Sequence, residues 1–277
     1  ADLKISGRVA MELVSEDGNI NARDYGNQRL QLDWADESGF MGRVALDMRQ
    51  TKFESSTGGS ELRDYYTGYK GGFGTLMAGR LAGAGKNIEG DMYVGTFLEL
   101  RNAFVKGGSA GYGSSGFINN MIEYNNKFGD SVVKLQYNPT DNGGAKGDLG
   151  ASIKAKLAGA GVFAAYNNQG DTNTYWKIGG NMKFGEFNTR LVYENDDGQA
   201  EAASWVLGAD MGFGNGWTGT VDYSDKGELR TESAYRVGVY KKFSKKAHMW
   251  AGYTQNGTSS TTTAAFAAYG VGFRVDI

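Results

Sequence analysis

The chain has 277 residues, of which 44 are Gly, 1 is Pro and none is Cys, so disulfides and thiolate metal sites are excluded. Its net charge is -2 with no basic block, which argues against a nucleic-acid partner. Mean hydropathy is -0.46, and no stretch nears the roughly 18 consecutive apolar residues of a spanning helix, which leaves a membrane barrel open because only its alternate residues meet lipid.

Ala1 opens directly on a strand pattern, as expected of an exported chain after signal cleavage. The first strand covers roughly residues 2–14, with Leu3, Ile5, Val9, Met11 and Leu13 on one face. A second lies near 27–37, with Leu30, Leu32 and Trp34 on one face. A third lies near 40–52, with Phe40, Val44, Leu46 and Met48. Tyr65, Thr67 and Tyr69 mark a fourth, and Phe73, Thr75 and Met77 a fifth. The alternation then stops from Ala82 to Gly116. It resumes at Ile118, Ile122 and Tyr124, then at Val133, Leu135 and Tyr137.

Eight further alternating runs follow. They centre on Ile153, Ala164, Ile178, Leu191, Leu207, Val221, Val237 and Ala251. The last strand carries Tyr269, Val271, Phe273, Val275 and Ile277 on one face and Gly, Arg and Asp on the other. The sum is about sixteen strands. Short connections lie at 37–39, 71–72, 128–130, 184–186, 214–216 and 244–245, and all but the last carry the Gly or Asn of tight hairpins. Long polar ones lie near 15–26, 53–63, 138–146, 168–173, 195–201, 225–232 and 256–263.

Tight turns at one end and loops at the other predict an all-β, sixteen-stranded antiparallel up-and-down transmembrane barrel, a single domain over residues 1–277. An even strand count puts both termini at the tight-turn end. A soluble sandwich or solenoid also alternates. Against it stand the Gly, Ala and aromatic residues of the apolar faces, the charge on the other face and the persistent turn asymmetry. Parity assigns the ionic residues to a water-filled lumen, since a dry core would not tolerate them. Lys4, Arg8, Glu12, Arg29, Asp33, Arg43, Asp47, Arg49, Arg80, Glu123 and Lys134 fall there, as do Lys154, Lys156, Lys177, Lys183, Arg190, Glu194, Asp210, Asp222 and Arg236. Basic groups outnumber acidic ones on this wall, an expectation of a modest anion preference.

Enzymatic readings are weak. His248 is the single histidine and stands beside Met249 and Trp250 with no nucleophile elbow nearby, so it reads as a wall residue. The run Gly71-Gly72-Phe73-Gly74 is no phosphate cradle, because no helix pattern follows it. No cofactor is expected. Asp141, Asp196 and Asp197 sit in loop tips that offer oxygen ligands for a loosely held calcium ion.

Thr67–Arg80, with its Gly71-Gly72-Phe73-Gly74 turn, resembles a stretch of the trimeric general porins of Gram-negative bacteria. Asn119-Asn120-Met121-Ile122-Glu123-Tyr124-Asn125 resembles their strand after the long loop, with Glu123 where Arg is common. Gly270-Val271-Gly272-Phe273-Arg274 resembles their terminal strand, with Ile277 where Phe is usual. The resemblance implies an outer-membrane homotrimer, set in lipid and lipopolysaccharide, through which ions and small hydrophilic solutes diffuse. A substrate-selective channel for sugars or carboxylates is the alternative. It also implies that the third outside loop, residues 82–116, folds inward and narrows the pore, and that a loop near Lys52–Arg63 latches onto a neighbouring subunit.

On this resemblance Arg8, Arg29, Arg43, Arg49 and Arg80 form a basic wall, and Glu89, Asp91 and Glu99 of the infolded loop face it. Opposed charges of that kind set a transverse field across the narrowest point. The loop aromatics Tyr93, Phe97, Phe104 and Tyr112 are expected to anchor the loop to the wall.

Overall fold

The computed structural model describes residues 2–23, 28–48, 61–100, 117–139, 148–169, 173–196, 203–224, 233–256 and 266–277. They form seventeen strand segments in one sheet. These are β1 (Asp2–Glu16), β2 (Asn19–Arg23), β3 (Arg29–Ala35), β4 (Phe40–Asp47), β5 (Glu61–Gly71) and β6 (Gly74–Ala82). Next come β7 (Phe117–Phe128), β8 (Ser131–Asn138), β9 (Asp148–Leu157), β10 (Ala160–Gln169), β11 (Asn173–Phe184) and β12 (Phe187–Asp196). The set ends with β13 (Ser204–Gly214), β14 (Trp217–Ser224), β15 (Ala234–Lys242), β16 (Ala247–Asn256) and β17 (Phe266–Asp276).

Every neighbour pairs antiparallel with the next, and β17 pairs back onto β1 from Arg8↔Asp276 to Glu16↔Ala268, so the sheet is closed. Closure removes the free edges that a lipid environment cannot satisfy. β2 and β3 both pair with β1, one above the other, and count as one stave; the barrel has sixteen. Between them the side chain of Gln28 fills the missing rung. Its Nε2 donates to the carbonyl of Ala10 at 2.5 Å, and its Oε1 accepts the Ala10 N–H at 2.8 Å.

The expected loop at 15–26 is thus largely hairpin. β1 runs on to Glu16, and Asp17 (φ 47°) with Gly18 (φ 85°) makes a tight turn into β2. At the other end, Ala158 (φ 50°) and Gly159 (φ 84°) form a similar two-residue turn between β9 and β10. Positive φ at both central residues matches the right-handed strand twist.

The outer face carries the large apolar side chains, among them Leu3, Ile5, Leu13, Phe40, Phe184, Leu191, Val237 and Phe273, all exposed. Aromatic side chains collect at both of its margins. Phe40, Tyr69 and Phe73 touch near the tight turns, with ring centroids 5.2 and 6.0 Å apart. Trp176–Tyr193, Trp205–Tyr223 and Tyr235–Tyr253 pair near the loops, at 5.2, 5.8 and 5.6 Å. Two such girdles bounding an apolar band are what a bilayer with two interfaces selects. Among the described residues no helix is long and apolar enough to cross a membrane.

Candidate functional site: the inner wall of the barrel

On the β1–β5 side the alternate residues face inward and lie in rows across the strands. Lys4, Asp33, Arg43 and Tyr66 make one row, and Arg8, Arg29 and Asp47 another. Arg43 Nε bonds Asp33 at 2.6 Å, and its Nη1 lies 3.5 Å from Asp64. Asp47 sits between Arg29 at 3.8 Å and Arg63 at 3.7 Å. Arg63 also bonds Asp64. Arg8 stands directly opposite Arg29 on one side and Asp276 on the other.

Arg63 was expected in a loop. It is instead the extra residue of a bulge, because Asp64 pairs with Ala45 while Leu62 pairs with Leu46. A bulge turns two successive side chains to one face. The signal was in the sequence: Leu62 and Tyr65, both outward, are three residues apart rather than two or four.

Arg80 does not join the wall. Met77 and Leu81 pack inward with Tyr66, Ile118 and Met121, so the face of β6 is opposite to that inferred from Phe73, Thr75 and Met77. Leu76 and Met77 are both apolar and parity there is ambiguous. Arg80 pairs with outward Tyr65 and donates to the Arg63 carbonyl (2.9 Å) and Asn119 Oδ1 (2.8 Å). Arg49 lies outside the described residues.

Further round, Glu123 is buried between Lys134 at 3.5 Å, Gln136 Nε2 at 2.6 Å and Asn125 Nδ2 at 2.9 Å. His248 contacts Asp276 at 3.2 Å, which Arg274 also holds at 3.1 Å.

The segment after β6 lies against the other side of the same wall. Residues 83–100 run as successive turns. Asn87 Oδ1 accepts the Asp91 N–H, and Asp91 in turn accepts the N–H groups of Tyr93 (3.2 Å) and Leu100 (2.8 Å). Ile88 and Leu100 pack on Phe163, Ala165, Val192, Val206 and Ala234. Tyr93, Phe97 and Leu98 pack on Ala10, Val14, Tyr240, Trp250 and Ala268. These wall residues are the small or aromatic inward positions of β1, β10, β12, β13 and β15–β17. Tyr93 and Phe97 therefore contact the wall, while Phe104 and Tyr112 lie outside the described residues.

Polar pins fix the segment. Lys177 Nζ meets Glu89 at 2.9 Å and the Gly85 carbonyl at 3.4 Å. Arg236 Nη1 meets Asp91 at 3.0 Å and the Leu98 carbonyl at 2.5 Å. Glu12 Oε1 accepts the Phe97 N–H and Trp250 Nε1–H, each at 2.9 Å. Behind Arg236, Asp222 bridges to Arg190 at 2.7 Å, and Arg190 to Asp210 at 2.5 Å.

This corrects the expected placement of Glu89, Asp91 and Glu99. They do not look across open water at the arginines. Glu89 and Asp91 neutralise Lys177 and Arg236, which the apolar residues of the segment cover. Glu99 turns back to accept the Gly95 N–H at 2.7 Å. Buried cations need partners at hand, and that requirement outweighs a field across the bore.

Asp141, Asp197 and the side chain of Asp196 lie outside the described residues. Among the described residues no three His, Cys, Asp or Glu side chains converge as a metal site.

A family model described as Gram-negative porin matches residues 1–276. No curated protein sequence matches. Solved structures share the fold. An anion-selective porin from Comamonas acidovorans has a TM-score of 0.74 at 15% identity, covering 100% of this chain and 99% of its own. A mutant of Rh. blastica porin gives 0.73 at 15%, covering 100% of both chains. A loop-deletion mutant of OmpT, an outer membrane protein of Vibrio cholerae, gives 0.71 at 17%, covering 100% and 99%.

Proposed function

The chain belongs to the Gram-negative porin family, and from that premise we propose how its bore admits solutes. It is an outer-membrane protein that crosses the membrane many times and forms a water-filled pore for passive diffusion of ions and small hydrophilic solutes. It is a channel and not an enzyme, so His248 serves as wall structure. The observation that carries this is the closed sheet with apolar side chains outside and paired ions inside.

In the proposal, residues 82–116 narrow the bore. What supports it is the bonding of residues 83–100 to the inner faces of β1, β11 and β15, which takes their volume out of the lumen. The remaining passage runs beside Arg8, Arg29, Arg43 and Arg63, with Asp33, Asp47 and Asp64 interleaved. Solutes that exchange water for these paired ions pass, and bulky apolar ones lose hydration without return.

The working unit in this reading is a homotrimer. The outer faces of β1, β3 and β4 carry aliphatic Leu3, Ile5, Val9, Met11, Leu13, Leu30, Leu32 and Val44, a surface suited to subunit packing. Lipid and lipopolysaccharide cover the rest. Calcium at the Asp141, Asp196 and Asp197 loop tips is an accessory proposal, tested by comparing conductance with and without a chelator.

Planar-bilayer recording tests the whole reading. Conductance should arrive in groups of three equal steps. Excision of residues 83–116 should enlarge each step and let larger sugars into proteoliposomes. An unchanged step and sugar cut-off after excision would remove the narrowing role.

A further inference from the structure

The inner wall changes character toward the tight-turn mouth. Around its middle, the cations Arg43, Arg63, Arg190, Arg236 and Lys177 each touch a carboxylate. Near the turns that pairing stops. On β7, Lys127 continues the inward series of Met121, Glu123 and Asn125. On β9, Lys154 and Lys156 follow Ser152 on the inward face. On β11, Lys183 follows Lys177, Gly179 and Asn181.

Lys156, Gly161 and Asn181 occupy one row across β9, β10 and β11, and Lys127, Val132 and Lys154 occupy another across β7, β8 and β9. On the remaining circumference, Lys4, Lys70 and Lys242 are the corresponding inward residues of β1, β5 and β15. All seven are exposed, and none makes an ion pair among the described residues. The inward carboxylates at this end are fewer. Asp33, Asp210 and Asp276 are held by Arg43, Arg190 and Arg274, which leaves Asp2. The turns add Asp36, Glu37, Asp130 and Glu186 beyond the strand ends, against Lys245 and Lys246.

A ring of unpaired charge of one sign at a pore mouth raises the local concentration of counter-ions, and low-dielectric walls focus its field. We propose that this lysine collar is a capture site for small multivalent anions, with phosphorylated solutes as the chemical class. It acts on solutes at the tight-turn mouth and biases passage toward anions. The collar rests on the pore reading above but is separate from the arginine rows, whose charges are largely spent on Asp33, Asp47 and Asp64.

The test is sided current block by tripolyphosphate in 0.1 M KCl. The chain lacks native cysteine, so a Lys245→Cys handle labelled from one compartment fixes the orientation of each inserted channel. Tripolyphosphate added at the tight-turn mouth should block at about tenfold lower concentration than from the loop side, and the difference should fade in 1 M salt. A quadruple variant with Lys127→Gln, Lys154→Gln, Lys156→Gln and Lys183→Gln should lose the sidedness and shift its reversal potential toward cations. The matching quadruple Lys→Arg variant should keep both, which separates charge from any disturbance of the barrel. Equal block from both sides in the parent channel, or undiminished sidedness in the Gln variant, would overturn the collar. Absence of any channel in the parent protein would overturn the pore reading beneath it.

Discussion

Arg236 and Asp91 meet at 3.0 Å, and the same guanidinium holds the Leu98 carbonyl and Asp222. One side chain therefore joins residues 83–100 to two strands, β14 and β15. Its position explains why Asp91 does not face the arginine rows.

Asp91→Asn removes the charge opposite Arg236. Breaking a buried ion pair from one side costs about 3–5 kcal/mol. Here the loss falls on the anchoring of residues 83–100, because the barrel ladder is untouched. The variant should assemble, conduct more per channel and show flicker absent from the parent. Single-channel recording at fixed voltage reads all three.

Arg43→Gln leaves Asp33 and Asp64 without their shared cation. The passage beside β4 then becomes more negative. The permeability ratio in a KCl gradient should move toward potassium by about a factor of two at 0.1 M salt. Asp64→Asn should move it the other way. Movement in the same direction for both would show that these rows do not face the conducting path.

Gln28→Ala removes the side-chain amide that serves Ala10 in place of a strand rung. The Ala10 N–H and C=O lose their partners at membrane depth. An unmet buried group costs about 1–3 kcal/mol, so the guanidinium midpoint in micelles should fall accordingly. Gln28→Glu should fall too, since a carboxylate accepts from Ala10 N–H but has nothing to donate to its carbonyl.

Ala158→Asn relieves a left-handed backbone at φ 50°. A non-Gly residue there is penalised by about 1–2 kcal/mol, and Asn tolerates it better. The same unfolding assay should show a gain of about 0.5–1 kcal/mol with unchanged conductance.

Strand number, closure and the face of most strands were legible because lipid and water impose a two-residue period. Leu3, Ile5, Val9, Met11 and Leu13 declare the outside of β1 without ambiguity. That legibility failed where both neighbours were apolar, as at Leu76-Met77, and parity there misplaced Arg80. It failed again at the Arg63 bulge, where the period is broken by one residue. Lys154, Lys156 and Lys183 were readable as wall residues from parity, but their lack of ion-pair partners among the described residues was not, since pairing depends on which distant strand lies opposite. The partners of Glu89 and Asp91 were beyond reach for the same reason. No local pattern relates a turn-rich insertion to Lys177 or Arg236.

Those distances along the chain have a consequence for biogenesis. The anchors of the inserted segment lie 85, 88 and 145 residues away, on β1, β11 and β15. Contacts so remote close late. Residues 83–100 cannot reach their resting place until the final staves have arrived and the circle is complete. Their docking is thus a report on finished assembly: a polypeptide stalled before β15 would carry Asp91 with no Arg236 to receive it, and proteases would find that stretch first.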